Sequence, residues 1–287
     1  MRWLAFLLAV LAGLPAAAQE RADRYSAMTY NIRLDSAADG DNAWPYRRPA
    51  VTSLVAYHAP DLVGMQEVLL HQKQAVEADL PGYAFVGAAR DDGRDMGEFS
   101  PLGFRRDRFA LIASGTFWLS PTPAVPGKGW DAAYPRVASW ARLQDKVSRR
   151  RLLVLNTHMD HVGTTARLEG ARQIRRWIAS QRKVGEILVV MGDFNSPAGS
   201  PAYAAITAPG AGSLRDTLTI SRTPHFGPLG TFTGFKIDQD EASPIDHIFV
   251  SDDIMVLRHA TLTQQSGGRL PSDHYPVLAD FCVGKGC

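Results

Sequence analysis

Cysteine is nearly absent from this 287-residue chain: Cys282 and Cys287 are the only two, both at the C-terminal end. That excludes a disulfide-held scaffold, so the fold must rest on a hydrophobic core. An excess of either charge is also lacking, because 31 Lys and Arg face 29 Asp and Glu for a formal net charge of +2. A polyanion binder usually declares itself with a basic domain or stripe, and none is evident. Heptads, internal repeats and low-complexity linkers are missing, which removes coiled-coil and collagen architectures and makes one large domain the default. No H-E-x-x-H, G-x-S-x-G or Walker loop occurs. Zinc-peptidase chemistry, covalent serine catalysis and nucleoside-triphosphate switching all lose ground.

What is present begins with an address. Arg2 precedes an apolar run from Trp3 to Leu14, followed by Pro15 and the small residues Ala16, Ala17 and Ala18. A positive start, an apolar middle and an A-x-A end read as a secretory signal over residues 1–18, cleaved before Gln19. The run is shorter than the roughly 20 residues a bilayer span requires, so no stable membrane insertion is expected after cleavage. The remaining chain, residues 19–287, is then a secreted or periplasmic domain. An oxidising compartment permits a bridge between Cys282 and Cys287, closing a short loop. Oligomeric state has no signature in the sequence.

Strand-length apolar runs recur over residues 27–32, 109–119, 137–143, 151–156, 187–191, 245–250 and 275–281. Residues 164–181 carry helical periodicity, with Leu168, Ala171, Ile174, Trp177 and Ile178 on the apolar side and Arg167, Glu169, Arg172, Arg175 and Arg176 on the polar side. Ser200 followed by Pro201 starts a second helix running to Thr207. Weaker helical patterns cover residues 47–58 and 66–80. Many strands with few helices predict an α/β fold of packed sheets flanked by helices rather than an alternating parallel sheet.

The apolar runs end in chemistry. One stops at Asn31, another at Gln66 and Glu67, and a third runs into Asn156, Thr157, His158, Met159, Asp160 and His161. A fourth ends at Gly192, Asp193, Phe194 and Asn195, and Asp246–His247 and Asp273–His274 follow near the C-terminus. Hard oxygen ligands of this kind suit Mg²⁺, Mn²⁺ or Ca²⁺ rather than zinc. Metal-assisted attack by water, with histidine stabilising charge or moving protons, is the chemistry these residue types serve. His58, His71, His225 and His259 lack an acidic pattern and read as surface or packing residues. The tryptophans read as core or cleft wall, with Trp177 in the helix core.

Seven segments in order make the chain resemble the endonuclease/exonuclease/phosphatase superfamily, the deoxyribonuclease-I-like fold. They are T-Y-N-I-R from Thr29, G-M-Q-E-V from Gly64, G-E-F from Gly97, N-T-H-M-D-H from Asn156, G-D-F-N-S-P from Gly192, I-D-H-I-F-V from Ile245 and S-D-H-Y-P-V from Ser272. N-A-W-P-Y-R-R from Asn42, F-W-L-S-P-T-P from Phe117 and G-T-F-T-G-F from Gly230 are similar to an often exported bacterial branch.

The resemblance implies a four-layer α-β-β-α sandwich of two mixed β-sheets, with the active site at one edge. It makes Glu67 the principal ligand of Mg²⁺ (or Mn²⁺), with Asn31 and Asp273 completing the shell. Asp193 orients or deprotonates the attacking water, and Asn195 holds the phosphate or that water. His274 faces the scissile phosphate and is fixed by Asp246. His158 is a second phosphate-facing imidazole that Glu98 holds in the same way, and Arg136 is a substrate-facing cation. The implied activity is hydrolysis of a phosphate ester, whether of a nucleic acid, a sugar or inositol phosphate, or a phospholipid headgroup.

Near-neutral charge disfavours nucleic acid without eliminating it, since Arg47, Arg48, Arg90, Arg94, Arg105 and Arg106 would supply a local basic rim if they clustered. Solvated surface positions are the plainer expectation for most of them. Two other functions compete. A glycoside hydrolase would pair carboxylates with cleft tryptophans such as Trp44 and Trp130, and would work without cations. A binding protein on the same scaffold would have no need of a paired Asp and His.

Overall fold

The computed structural model describes residues 23–238, 243–284 and 287. The predicted leader boundary at residue 18 lies outside them. No described helix is long and apolar enough to cross a membrane.

Among the described residues, twelve strands form two six-stranded mixed sheets. The first contains β1 (Arg24–Asn31), β2 (Leu62–Gln66), β3 (Tyr83–Val86), β4 (Leu102–Arg105), β11 (Met255–Thr261) and β12 (Val277–Cys282), in the order β11-β12-β1-β2-β4-β3. The second contains β5 (Phe109–Trp118), β6 (Val137–Asp145), β7 (Arg151–His158), β8 (Ile187–Asp193), β9 (Leu214–Asp216) and β10 (Asp246–Ser251), in the order β5-β6-β7-β8-β10-β9. Each sheet has a parallel pair at its heart, β1 with β2 and β7 with β8, and the other pairings are antiparallel. Parallel neighbours need a crossover. The helix α1 (Trp44–His58) supplies it for β1 and β2, and α3 (Thr164–Gln181) supplies it for β7 and β8. Shorter helices are α2 (Leu70–Asp79), α4 (Pro201–Thr207) and α5 (Thr217–Ile220).

Strand alternation sorts the core into layers. In β8, Ile187, Val189 and Met191 face the other sheet, where they meet Ala27, Leu62 and Ala279. Leu188 and Val190 face outward against Ala171, Ile174 and Ile178 of α3 and Ile206 of α4. In the other outer layer, Met28, Tyr30, Val63 and Met65 pack beneath Val51, Leu54 and Val55 of α1 and Val76 of α2. The result is the four-layer α-β-β-α sandwich.

Helix α3 occupies the span its periodicity predicts, and Ser200 caps α4 by accepting from Tyr203 N at 3.2 Å. Elsewhere the structure departs from expectation. The pattern over 66–80 is not helical at its start: Gln66 pairs with Asn31 as the last residue of β2, Glu67 has φ 60°, and α2 begins only at Leu70. Trp177 flanks the helix core, half-buried and stacked on Phe117 with ring centroids 5.2 Å apart. Short or polar-interrupted strands β3, β4, β9 and β11 escape the hydrophobic pattern. In β4, Gly103 is a packing requirement, since a Cβ there would lie 2.5 Å from Phe85 Cε1 and 2.7 Å from Val63 Cγ1. The bridge between Cys282 and Cys287 is formed.

Two features couple the sheets near one edge. Buried Asn156 of β7 donates to the carbonyls of Met65 (2.7 Å) and Pro101 (2.9 Å), and its Oδ1 accepts from Gln66 Nε2 (2.7 Å). Gly64 leaves room for it, because a Cβ there would lie 2.4 Å from Asn156 Oδ1.

Candidate active site

The parallel pairs end together. The register places Asn31 beside Gln66 in the first sheet, and His158 beside Asp193 in the second, with Asp246 across from Asp193. Side chains at the carboxyl ends of parallel strands point into whatever crevice forms there. The crevice is an open cavity of ≈ 700 Å³. Glu67, Glu98, Arg136, His158, Asp193, Asn195, Asp273 and His274 line it, and Asn31 and Asp246 stand directly behind. All ten sequence-derived site residues therefore meet at one place.

Asn31 is the hub. Fully buried, it donates through Nδ2 to Glu67 Oε1 and Asp193 Oδ2, each at 3.0 Å, and lies 3.5 Å from His274 Nε2. Its Oδ1 accepts from Arg33 N at 3.0 Å. Three non-glycine site residues, Arg33 (φ 57°), Glu67 (φ 60°) and Asn195 (φ 45°), hold left-handed backbone, the kind of local cost that persists where surrounding structure enforces a geometry. Gly192 permits the close approach of β8 to β7, as a Cβ would lie 2.1 Å from Thr157 O.

Asp193 is clamped. Its Oδ1 accepts from Asn195 N at 2.9 Å and its Oδ2 from Asn31, while His158 Nε2 and His274 Nε2 lie 3.6 and 3.8 Å from Oδ2. Burial, and then the neighbouring Asp246 carboxylate, push Asp193 up to about 7. His274 Nδ1 donates to Asp246 Oδ2 at 2.8 Å. Burial alone would push His274 down, but the Asp246 carboxylate, with Asp193 and Asp273 behind it, more than reverses this and holds it at about 10.

His158 differs from His274. Its Nε2 accepts from Asn195 Nδ2 at 3.2 Å, so its proton sits on Nδ1, which has no partner. Glu98 does not hold it as Asp246 holds His274: Glu98 Oε2 is 3.8 Å from His158 Nδ1 and accepts instead from Arg90 Nη1 at 2.7 Å. Arg90 comes across from the neighbouring turn and outcompetes the imidazole for the carboxylate. Burial, followed by the Arg136 charge, keeps His158 well below its ordinary value and neutral.

Two donor sets share the cavity. Asp193, Asp246 and His274 each bring one ligand atom within 4.8 Å of the others. In that set the Asp246–His274 hydrogen bond already commits one carboxylate oxygen and one ring nitrogen. Glu67 and Asp273 form the other set with Asn31, and Arg33 approaches both carboxylates, at 3.7 and 3.8 Å. Burial, helped by the Glu67 carboxylate, pushes Asp273 up from the ordinary carboxylate range against the opposing charges of His274, Arg33 and Arg47. With its amide turned over, Asn31 presents an oxygen where Nδ2 now stands, so this set is made wholly of hard donors and fits Mg²⁺ or Mn²⁺.

Several cavity residues were not found from sequence. Arg33, two positions past the end of β1, His161, in the segment after β7, and Phe232 and Phe235, in the G-T-F-T-G-F segment, sit in recognisable motifs; Asp39 and Tyr134 carry no signal. Of the six arginines expected to supply a rim, Arg90 alone lines the cavity, where it is paired with Glu98. Arg47 is buried and donates to the carbonyls of Ile32 (2.7 Å), Pro271 (2.9 Å) and Arg33 (3.2 Å), bracing the loop beneath the site. Arg48 pairs with Asp79, Arg105 with Asp107, Arg94 with Asp92, and Arg106 donates to Tyr83 O. Trp44 is buried and Trp130 exposed, and neither lines the cavity as a glycan cleft would need.

A two-sheet sandwich with an acid, amide and imidazole cluster at the strand ends defines a metal-compatible hydrolase site. The sequence model of the endonuclease/exonuclease/phosphatase family matches residues 28–274, and the chain belongs to that family. Membership makes it a phosphoric ester hydrolase. It is similar to an endonuclease/exonuclease/phosphatase family protein from Bacteroides thetaiotaomicron, 35% identical with a TM-score of 0.86, covering 91% of this chain and 98% of that one. A mannosyl-6-phosphatase of Bacteroides thetaiotaomicron VPI-5482 is 36% identical with a TM-score of 0.84, over 90% and 99% of the two chains. An uncharacterised Acanthamoeba polyphaga mimivirus protein, R895, is 25% identical over 259 residues, 77% of this chain. The chain spans only 36% of that viral protein.

Proposed function

We propose that this chain is an exported, divalent-metal-dependent hydrolase that removes phosphate from a small sugar-bearing ester. The observation that carries the catalytic part is Asn31 Nδ2, which ties Glu67, Asp193 and His274 into one cluster although they come from different sheets and loops. The similarity to a mannosyl-6-phosphatase over 90% of this chain supports the sugar phosphate, as does the pairing of Arg48, Arg94 and Arg105 with carboxylates away from the cavity, where they form no track for a polymer. Export rests on the signal-like first eighteen residues.

Glu67, Asn31 and Asp273 hold the cation. When bound, a divalent ion supplies polarisation of a phosphoryl oxygen and screens charge on the departing group. Asp193, fixed at both carboxylate oxygens, aims the attacking water and takes its proton, a task its raised affinity for protons suits near neutral pH. His274 stays cationic through the neutral range and stabilises charge on the phosphoryl oxygens in the transition state. Asn195 fixes the neutral His158 beside it.

The test offers metal-stripped protein from Gln19 a panel of sugar phosphates, phosphodiesters, DNA, RNA and glycosides, with and without Mg²⁺ or Mn²⁺. Cation-restored hydrolysis of sugar phosphate is expected, lowered at least about a hundredfold by Asp193→Ala and by His274→Ala. Cation-independent glycoside cleavage would refute the assignment.

A further inference from the structure

We propose that Arg136 is a specificity-determining residue that binds the additional anionic oxygen of a phosphate monoester, giving this site a preference for monoesters over diesters. The inference rests on the phosphoesterase reading above and goes beyond it by assigning a recognition role to the Arg136 end of the cavity.

Arg136 precedes β6, whose Ala138 pairs with Thr157 of β7. One step along that register brings Val137 level with His158, so Arg136 emerges at the same edge as the phosphate-facing imidazole. Its guanidinium is held from two sides. Nε donates to Asp160 Oδ2 at 3.3 Å and Nη2 to His161 Nδ1 at 3.0 Å. The third nitrogen, Nη1, is buried without a partner, although the residue lines the cavity and is only 4% exposed.

Asp160 does not fully neutralise this cation. Its carboxylate also accepts from the backbone N–H groups of Ala133, Val162 and Gly163, at 2.7 to 3.1 Å, so its charge is shared among many donors. Asp160 is thus a positioning residue that ties the turn bearing Tyr134 to the guanidinium. Tyr134 in turn stacks on His161, with ring centroids 6.0 Å apart, and the Arg90 guanidinium lies over the Tyr134 ring, 4.8 Å from its centroid. Arg90 also has a buried nitrogen without a hydrogen bond, Nε, but two carboxylates of its own, Glu98 at 2.7 Å and Asp91 at 3.6 Å, balance its charge, whereas Arg136 has only the shared Asp160.

A buried guanidinium N–H without an acceptor is costly, and an anionic oxygen is the group that best removes the cost. At neutral pH a monoester carries three non-bridging oxygens and close to two negative charges; a diester carries two such oxygens and one charge. The cationic His274 and the cation site already offer partners for two oxygens, so a further buried cation beside His158 is surplus for a diester and matched to a monoester.

The experiment compares p-nitrophenyl phosphate with methyl p-nitrophenyl phosphate, which share a leaving group, at saturating Mg²⁺. Wild type should favour the monoester in kcat/KM. Arg136→Gln should lower monoester kcat/KM by roughly thirtyfold, the loss expected for one charge-assisted hydrogen bond, while changing diester kcat/KM less than about threefold. Arg136→Lys should recover part of the monoester activity, and inorganic phosphate should inhibit Arg136→Gln more weakly than wild type. An equal fall on both esters, in the Lys variant as in the Gln variant, would reduce Arg136 to a structural role and overturn the inference. If Arg136→Gln does not fold, the mono-to-diester ratio of Arg136→Lys decides. A wild type that hydrolyses neither ester would refute the phosphoesterase reading itself and this inference with it, a result distinct from an active enzyme with an unchanged ratio.

Discussion

His274 Nδ1 donates to Asp246 Oδ2 across 2.8 Å, joining side chains 28 residues apart, one on a strand of the second sheet and one in the segment leading into the first. Asp246 opens β10, and His274 lies just before β12. The carboxylate holds the imidazole in one tautomer and keeps it charged, against a burial that works in the opposite direction.

Asp246→Asn tests that balance. In the wild type, His274 loses its proton only near pH 10, so the alkaline limb of the activity profile lies high. Without the Asp246 charge, only Asp193 and Asp273 oppose burial, and the imidazole releases its proton at lower pH. The alkaline limb of kcat/KM should move acidward by at least about one pH unit, and kcat at pH 8 should fall roughly a hundredfold. A profile that keeps its alkaline limb would show that Asp246 does not set the protonation of His274.

Glu67→Gln removes one charged oxygen donor while preserving the shape of the Asn31 hub. Mg²⁺ titrations should show activation requiring at least about tenfold more cation, with calorimetry giving weaker binding by the same factor. Unchanged Mg²⁺ affinity would move the cation to the Asp193, Asp246 and His274 group instead.

Asn156→Ala cuts the polar link between sheets. It removes one buried partner each from the carbonyls of Met65 and Pro101 and from the amide of Gln66, although Pro101 O still accepts from Met65 N and Gln66 Nε2 still donates to Thr29 Oγ1. Each lost hydrogen bond contributes about 1 kcal/mol, so denaturant unfolding should report a loss of roughly 3 kcal/mol. A loss below about 1 kcal/mol would mean that other groups take over these partners.

Acid stability should depend on His259. Burial holds its folded-state value down at about 4, against an ordinary 6.5, so the unfolded chain binds the proton more readily. Stability is therefore complete above pH 6.5, declines as pH falls from 6.5 to 4, and loses no more from this group below that. The loss is on the order of 3 kcal/mol, and His259→Gln should flatten this part of the stability-versus-pH curve. His259 packs against His225, with Nδ1 atoms 2.8 Å apart, and that contact anchors the segment leading to Thr231 and Phe232. Denaturation curves at pH 4, 5, 6 and 7 for both proteins make the comparison.

Much of this was legible without coordinates where both faces of an element are buried. Strands β7 and β8 read as continuous apolar runs because helices cover one side and the opposite sheet the other. Helix α3 was legible because one face alone meets the core. The start of α2 was misread because the letters from Gln66 to Leu70 suit a helix, whereas pairing of Gln66 with Asn31 and the left-handed backbone of Glu67 impose a strand and a turn. The Glu98–His158 pairing was also misjudged. A carboxylate goes to the best donor within reach, and Arg90 had no mark in the sequence showing that it would be nearer.

The order of residues along the chain determines the kinds of group available, the apolar runs that deliver them, and the family to which they belong. Which groups touch was decided only in three dimensions. Asn31 meets Asp193 from 162 residues away and His274 from 243. Hydrogen-bond reach is a few ångströms, while the register of two sheets and the twist between them set the separations, and those depend on every side chain packed in the layer between.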